Sequence, residues 1–88
     1  MVFEWDEHKA PANHRKHRID FADAATVFED DRAVTVGDDN PDEERYATIG
    51  TDAIGRALVV IYSMRGECIR SARRATRRER AEYEKQGL

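Results

Sequence analysis

The amino-acid pattern predicts an α+β fold: a small antiparallel meander sheet, preceded by two helices and followed by one, with the helices packed on one side. Three observations predict it. Phe21, Ala24, Ala25 and Phe28 recur at i, i+3, i+4 and i+7, the spacing of one apolar helix face. From Ala33 to Arg73 the pattern changes to short runs rich in branched residues, separated by polar or glycine-containing turns, as in strands joined by hairpins. After Arg73 helical signals return, opened by Thr76 and Glu79 at capping-box spacing. With 88 residues, the chain is expected to form one domain over residues 1–88.

Taken in order, Val2 to Trp5 reads as an opening strand or apolar lead-in. Asp6 is placed to cap a helix over Glu7 to His17, which Pro11 either starts or bends because it has no amide donor. Asp20 and Asp23 suit the start of the second helix, which should end near Glu29. Ala33 to Val36 is a strand, and GDDNPDEE is a polar turn. Arg45 to Gly50 is the next strand. Ala57 to Tyr62, a nearly continuous branched apolar run, should be the central strand, buried on both faces. Met64 to Glu67, with Gly66, closes a hairpin onto Cys68 to Arg73, which alternates weakly. The last helix spans Arg77 to Gln86, with Gly87 as its stop.

Composition narrows the function classes. Hydrophobic residues make up 40% and charged residues 38% of the chain, enough for a thin core only. No apolar run approaches the roughly 18 residues needed to span a bilayer, and the N-terminus lacks a signal-peptide pattern, so a cytoplasmic protein without a membrane partner is expected. The single cysteine, Cys68, forms no internal disulfide and belongs to no CxxC pair. The net charge of -3 conceals a bipolar chain: residues 22–64 carry three arginines against ten acids, whereas residues 65–88 carry eight cations against four acids. A basic end of this kind either binds an anion or is a solvated, charge-paired surface.

There is no Gly-rich phosphate loop, HExxH or GxSxG, which argues against nucleotide hydrolysis, zinc-protease and serine chemistry. His14 and His17 are spaced to share a metal, but no third ligand is evident. What remains is a set of cations with a histidine among them. Cleaving RNA by attack of a 2'-hydroxyl on its neighbouring phosphate needs a base, an acid and cations for the charge growing on phosphorus, and it needs no cofactor. Histidine is the side-chain type that titrates near neutrality, so His17 can serve as base or acid, while Lys9, Lys16, Arg65 and Arg73 can hold phosphate oxygens. The plainer alternative makes His17 a helix-end residue bonded to the last carbonyls. Likewise, Arg73, Arg74, Arg77, Arg78 and Arg80 can be an exposed helix start paired with Glu79, Glu82 and Glu84. Several arginines in a first helical turn nonetheless oppose the helix dipole unless an anion binds there. Trp5 and Tyr62 can stack on bases but read better as core. The acidic turn Asp38 to Glu44 should point away from RNA or meet a basic partner.

Two patterns carry a resemblance: Trp5, Asp6, Lys9, Asn13, Lys16 and His17 near the start, and Ser71, Ala72, Arg73, Ala75, Glu79 and Arg80 near the end. With ERYATIG and RALVVIYSMRG between them, the chain resembles, over nearly its whole length, the BrnT family of toxins from bacterial type II toxin-antitoxin systems. The resemblance implies a RelE-like fold and a metal-independent endoribonuclease that inhibits translation. It also implies a BrnA-type antitoxin partner that carries operator-DNA binding, commonly in a heterotetramer. His17, Arg65, Arg73 and Lys16 are then expected to be catalytic, with Lys9, Arg70, Arg77 and Arg80 binding substrate, and no cofactor. Glu79 is a weaker candidate because a capping box already accounts for it. The alternative is a non-catalytic module that binds an antitoxin in an autorepressor complex. The chain departs from the family pattern at Pro11 and in lacking two apolar residues between Arg70 and Ser71. The latter change keeps the face of each strand residue but shortens the strand by about 6 to 7 Å, displacing Arg73.

Overall fold

A computed structural model describes residues 3–39, 41–63 and 68–86. The expected Met64 to Glu67 turn, with Arg65 in it, and the Gly87 stop lie outside these residues. Five strands and three helices follow the order β1 (Glu4–Trp5), α1 (Lys9–His17), α2 (Phe21–Ala25), a 3-10 turn (Thr26–Glu29), β2 (Val34–Asp38), β3 (Arg45–Thr51), β4 (Ala57–Ser63), β5 (Cys68–Arg74) and α3 (Arg77–Gln86). Sheet order is β1-β5-β4-β3-β2. Strands β2 to β5 form the predicted antiparallel meander. The sheet as a whole is mixed, because β1 pairs in parallel with β5 through Glu4 and Cys68, and Trp5 and Ile69. A parallel neighbour needs a long crossover, and α1 and α2 supply part of it. No described helix is long and apolar enough to cross a membrane.

Pro11 does not start α1, which begins two residues earlier at Lys9. It occupies the third helical position, where backbone amides have no intrahelical acceptor, so its missing N–H costs nothing. Asp6 organises the entry: its carboxylate accepts the His8 amide at 2.8 Å, and its carbonyl accepts the Lys9 and Ala10 amides. The second helix departs from expectation after Ala25, where it tightens into a 3-10 turn. Thr26 Oγ1 donates to the Asp23 carbonyl at 2.6 Å, a local bond that competes with the α ladder. The three-residue period then buries Phe21, Ala24 and Val27, while Phe28 packs at the margin, stacked on Phe3 at 3.9 Å.

Strand β4 is central, as predicted. Leu58, Val60 and Tyr62 join Ile19, Phe21, Val27, Ile69 and Ala72 in the core, and Val59 is also buried. Tyr62 is a core aromatic and Trp5, partly buried, packs against the core: Trp5 meets the Phe21 ring edge-on, and Tyr62 meets Phe3 and Phe28 edge-on. The weak alternation of β5 has a specific cause. Ile61 pairs with Ser71 but Tyr62 pairs with Ile69, so Arg70 is an extra residue and forms a bulge. That bulge lets Ile69 and Ala72, three apart, both face the core. It falls between Ile69 and Ser71, so a period of two does not govern side-chain direction across this stretch.

Close packing makes one glycine indispensable. A Cβ on Gly50 would lie 2.9 Å from Val27 Cγ1, 3.1 Å from Ala33 Cβ and 3.2 Å from Asp30 Oδ2. Gly50→Ala is expected to destabilise the fold by about 1–2 kcal/mol, the overpacking penalty partly offset by the lower entropy of the unfolded chain. Urea unfolding checks this; an unchanged midpoint would mean that the Val27 turn moves aside freely.

Candidate functional site

Helix α1 is held against β5 by one polar side chain. Asn13, 8% exposed, donates from Nδ2 to the Ala72 carbonyl at 2.9 Å and to the Ile19 carbonyl at 3.1 Å, and its Oδ1 accepts the Ala72 amide at 3.2 Å. β1 covers only the first two residues of the β5 edge, so Asn13 acts as a surrogate strand partner beyond it. Helical spacing does the rest. Lys9, Lys16 and His17 lie four, three and four residues from Asn13 and therefore share its side of the helix. They line, with Arg70 and Ser71, an open groove of about 340 Å³ between α1 and the β5 bulge.

Four of the expected site residues thus come together: Lys9, Lys16, His17 and Arg70. His17 is half-buried at the end of α1, but its ring makes no hydrogen bond or ion pair among the described residues, so it does not cap the helix carbonyls. Lys16 sits in the last turn, where the helix dipole favours a cation. Arg70 donates from Nη2 to Glu43 Oε2 at 3.0 Å, while its buried Nε has no partner among the described residues. The acidic turn is tied to this groove from within the chain: Glu43 reaches Arg70 and lies 3.7 Å from Arg45 Nε.

Arg73 does not line this groove. Its Nη1 and Nη2 donate to the two carboxylate oxygens of Glu79 at 2.7 and 2.8 Å, and Nη1 also reaches the Arg74 carbonyl. Glu79 is the predicted capping-box residue as well: Oε1 accepts the Thr76 amide, and Thr76 Oγ1 accepts the Glu79 amide. The Arg73 guanidinium holds the Glu79 carboxyl down at about 2, helped by the Thr76 bonds against the opposing effect of burial. Because the folded value lies below the ordinary 4.5, the stabilisation is complete above about pH 4.5 and is lost as pH falls towards 2. Glu79→Gln, which keeps a cap oxygen but loses the charge, is expected to cost about 1–2 kcal/mol at pH 7 after discounting for solvent. The difference from wild type should narrow below pH 4.5 and be mostly gone by about pH 2; urea titrations at pH 7 and pH 2 test it, and a pH-independent gap would assign the loss to the cap alone.

Arg77 and Arg80 lie on α3, apart from the α1 groove, and Arg80 lines a second groove with Arg56 and Arg74. Arg65 lies outside the described residues. Sequence reasoning missed Arg56, Arg74 and Tyr83 as neighbours, because only the fold brings the β3–β4 turn beside α3. Tyr83 docks that helix: its hydroxyl donates to Asp30 Oδ2 at 2.6 Å and accepts from Thr51 Oγ1 at 3.2 Å. Burial raises the Asp30 pKa, but Tyr83, the Thr51 and Arg32 amides and the Arg32 charge together hold it below its usual value. No three His, Cys, Asp or Glu side chains converge to hold a metal ion among the described residues.

The model of one protein family matches residues 5–79; its description is a ribonuclease toxin, BrnT, of type II toxin-antitoxin systems. The match takes in Trp5, the whole of α1 and Glu79, residues that carry the resemblance. No curated protein matches the chain.

Proposed function

Since the chain belongs to the BrnT family of type II toxin-antitoxin ribonuclease toxins, we propose that it is a metal-independent endoribonuclease acting at the groove between α1 and β5. A family of this kind also implies an antitoxin, and we take the partner to be a BrnA-type protein that blocks the groove and carries the complex to operator DNA. The observation that supports the reading most is the convergence of Lys9, Lys16 and Arg70 with a histidine whose ring makes no hydrogen bond among the described residues.

The chemistry follows from what these side chains can do. The 2'-hydroxyl of one nucleotide attacks the adjacent phosphorus and gives up its proton; the P–O5' bond breaks, and the departing oxygen takes a proton. Products are a 2',3'-cyclic phosphate and a 5'-hydroxyl end. His17 acts as base or acid in this exchange. Lys16 and Arg70 lie beside it to bind the non-bridging oxygens as negative charge grows there, and Lys9 positions the strand. Arg65 and Arg73 are assigned transition-state roles, for which Arg73 must exchange its Glu79 partner for phosphate.

That last point favours a second reading, a binding module that has kept the antitoxin interface and lost the chemistry. One experiment separates the two. The purified chain is incubated with total RNA and EDTA, beside His17→Ala and beside a sample pre-mixed with the product of the neighbouring gene. Cleavage that survives EDTA and disappears in both other samples is expected. Intact RNA in every sample, with translating ribosomes supplied as well, together with retained binding to the neighbour, would establish the binding module instead.

A further inference from the structure

We propose that the groove between α3 and the β3–β4 turn is a second RNA site, one that holds phosphates of the strand beside the cleaved bond. The proposal rests on reading the protein as an RNA-binding ribonuclease; Arg56 and Arg74 lie within the family match, whereas Arg80, Tyr83 and Glu84 lie beyond its end at Glu79. The groove has a volume of about 450 Å³ and presents three guanidinium groups, from Arg56, Arg74 and Arg80, against one carboxylate, Glu84.

The three arginines are not equivalent. Arg56 is committed, with Nε donating to Asp52 Oδ2 at 2.8 Å and Nη2 to Asp23 Oδ2 at 3.3 Å, and serves as a fixed wall. Arg74 and Arg80 are exposed and make no hydrogen bond or ion pair through their side chains among the described residues. Arg77 and Arg78 stand just before Arg80 in the first turn of α3, equally exposed. Cations at that end of a helix oppose the dipole, and the Thr76–Glu79 capping box does not offset them, because Glu79 is already spent on Arg73. An anionic ligand resolves this excess of positive charge.

Two features select a nucleic-acid strand over an acidic peptide. Tyr83 also lines the groove; with its hydroxyl anchored to Asp30 and Thr51, it offers a ring held for stacking on a base. β5 also joins the two grooves: Arg70 and Ser71 line the first and Arg74 the second. Ser71 and Arg74 are three residues apart, about 10 Å along an extended strand, so a few nucleotides of one RNA can engage both.

The test measures binding of the full chain to a 2'-O-methyl RNA oligonucleotide, which lacks the nucleophilic hydroxyl and cannot be cut. Arg74→Ala/Arg80→Ala should raise Kd at least about tenfold and lower the slope of log K against log salt by about 1.4, that is, about 0.7 for each single-strand phosphate that the protein no longer neutralises. Both side chains are exposed, so thermal unfolding should be unchanged, and Arg74→Lys/Arg80→Lys should restore most of the slope. Polyglutamate of equal charge should compete poorly. Unchanged affinity and slope in the double variant, no RNA binding by wild type, or equal competition by polyglutamate would each overturn the proposal. If binding depends on this groove while total RNA stays intact, with translating ribosomes supplied as well, the ribonuclease reading fails and the second site stands.

Discussion

Replacing Asn13 by alanine is expected to cost about 3 kcal/mol or more. The side chain makes three hydrogen bonds from a buried position, two of them to the Ala72 peptide group. Alanine leaves that N–H and C=O, and the Ile19 carbonyl, without partners; each such group costs about 1–3 kcal/mol where water cannot replace the bond. A chain of this length has on the order of 4–13 kcal/mol of total stability. Asn13→Asp provides the control: it matches the shape and can still accept the Ala72 amide, but it turns a carboxylate toward two carbonyl oxygens. It should be at least as unstable as the alanine variant. Urea unfolding of both decides the matter, and a loss below about 1 kcal/mol in each would mean that α1 is held by its apolar contacts alone. RNA cleavage should fall further than stability does, because Asn13 also sets the position of Lys9, Lys16 and His17 against the β5 bulge.

This residue shows what was legible in the sequence. Asn13 stood in the N-terminal pattern between the cations, and its helical spacing to Lys9, Lys16 and His17 could be read directly. Its task could not, since the partner is a peptide group 59 residues away. Strand β4 was legible because a branched apolar run has few alternatives, and α3 because Thr76 and Glu79 are close in sequence. The end of α2 was not, because one hydroxyl bond from Thr26 decides between α and 3-10 geometry. Nor was the bulge at Arg70. A single extra residue re-aims everything after it, and the sequence marks it only by placing Ile69 and Ala72 three apart. Charge partners were the least legible of all: Arg70 with Glu43 and Arg73 with Glu79 are settled by the fold, and the second of these ties Arg73 to the cap of α3.

His17→Ala is expected to lower kcat for RNA cleavage by about 10²–10⁴, the contribution of a positioned proton donor or acceptor, with KM within a fewfold of wild type. The split between the two constants carries the inference. Since the His17 ring makes no hydrogen bond or ion pair among the described residues, its removal should leave the unfolding midpoint unchanged, so lost activity cannot be blamed on lost structure. Lys9→Ala and Lys16→Ala should show a different pattern, with KM raised and the salt slope lowered by about 0.7 each, if these lysines bind phosphate in the ground state. A kcat loss in Lys16→Ala comparable to that of His17→Ala would instead place the ammonium group in the transition state, beside the leaving oxygen. Activity of His17→Ala within twofold of wild type would remove the imidazole from the reaction. It would leave the α1 groove as an electrostatic platform, and the proton transfers would have to be sought among the arginines and their carboxylate partners at the far end of β5.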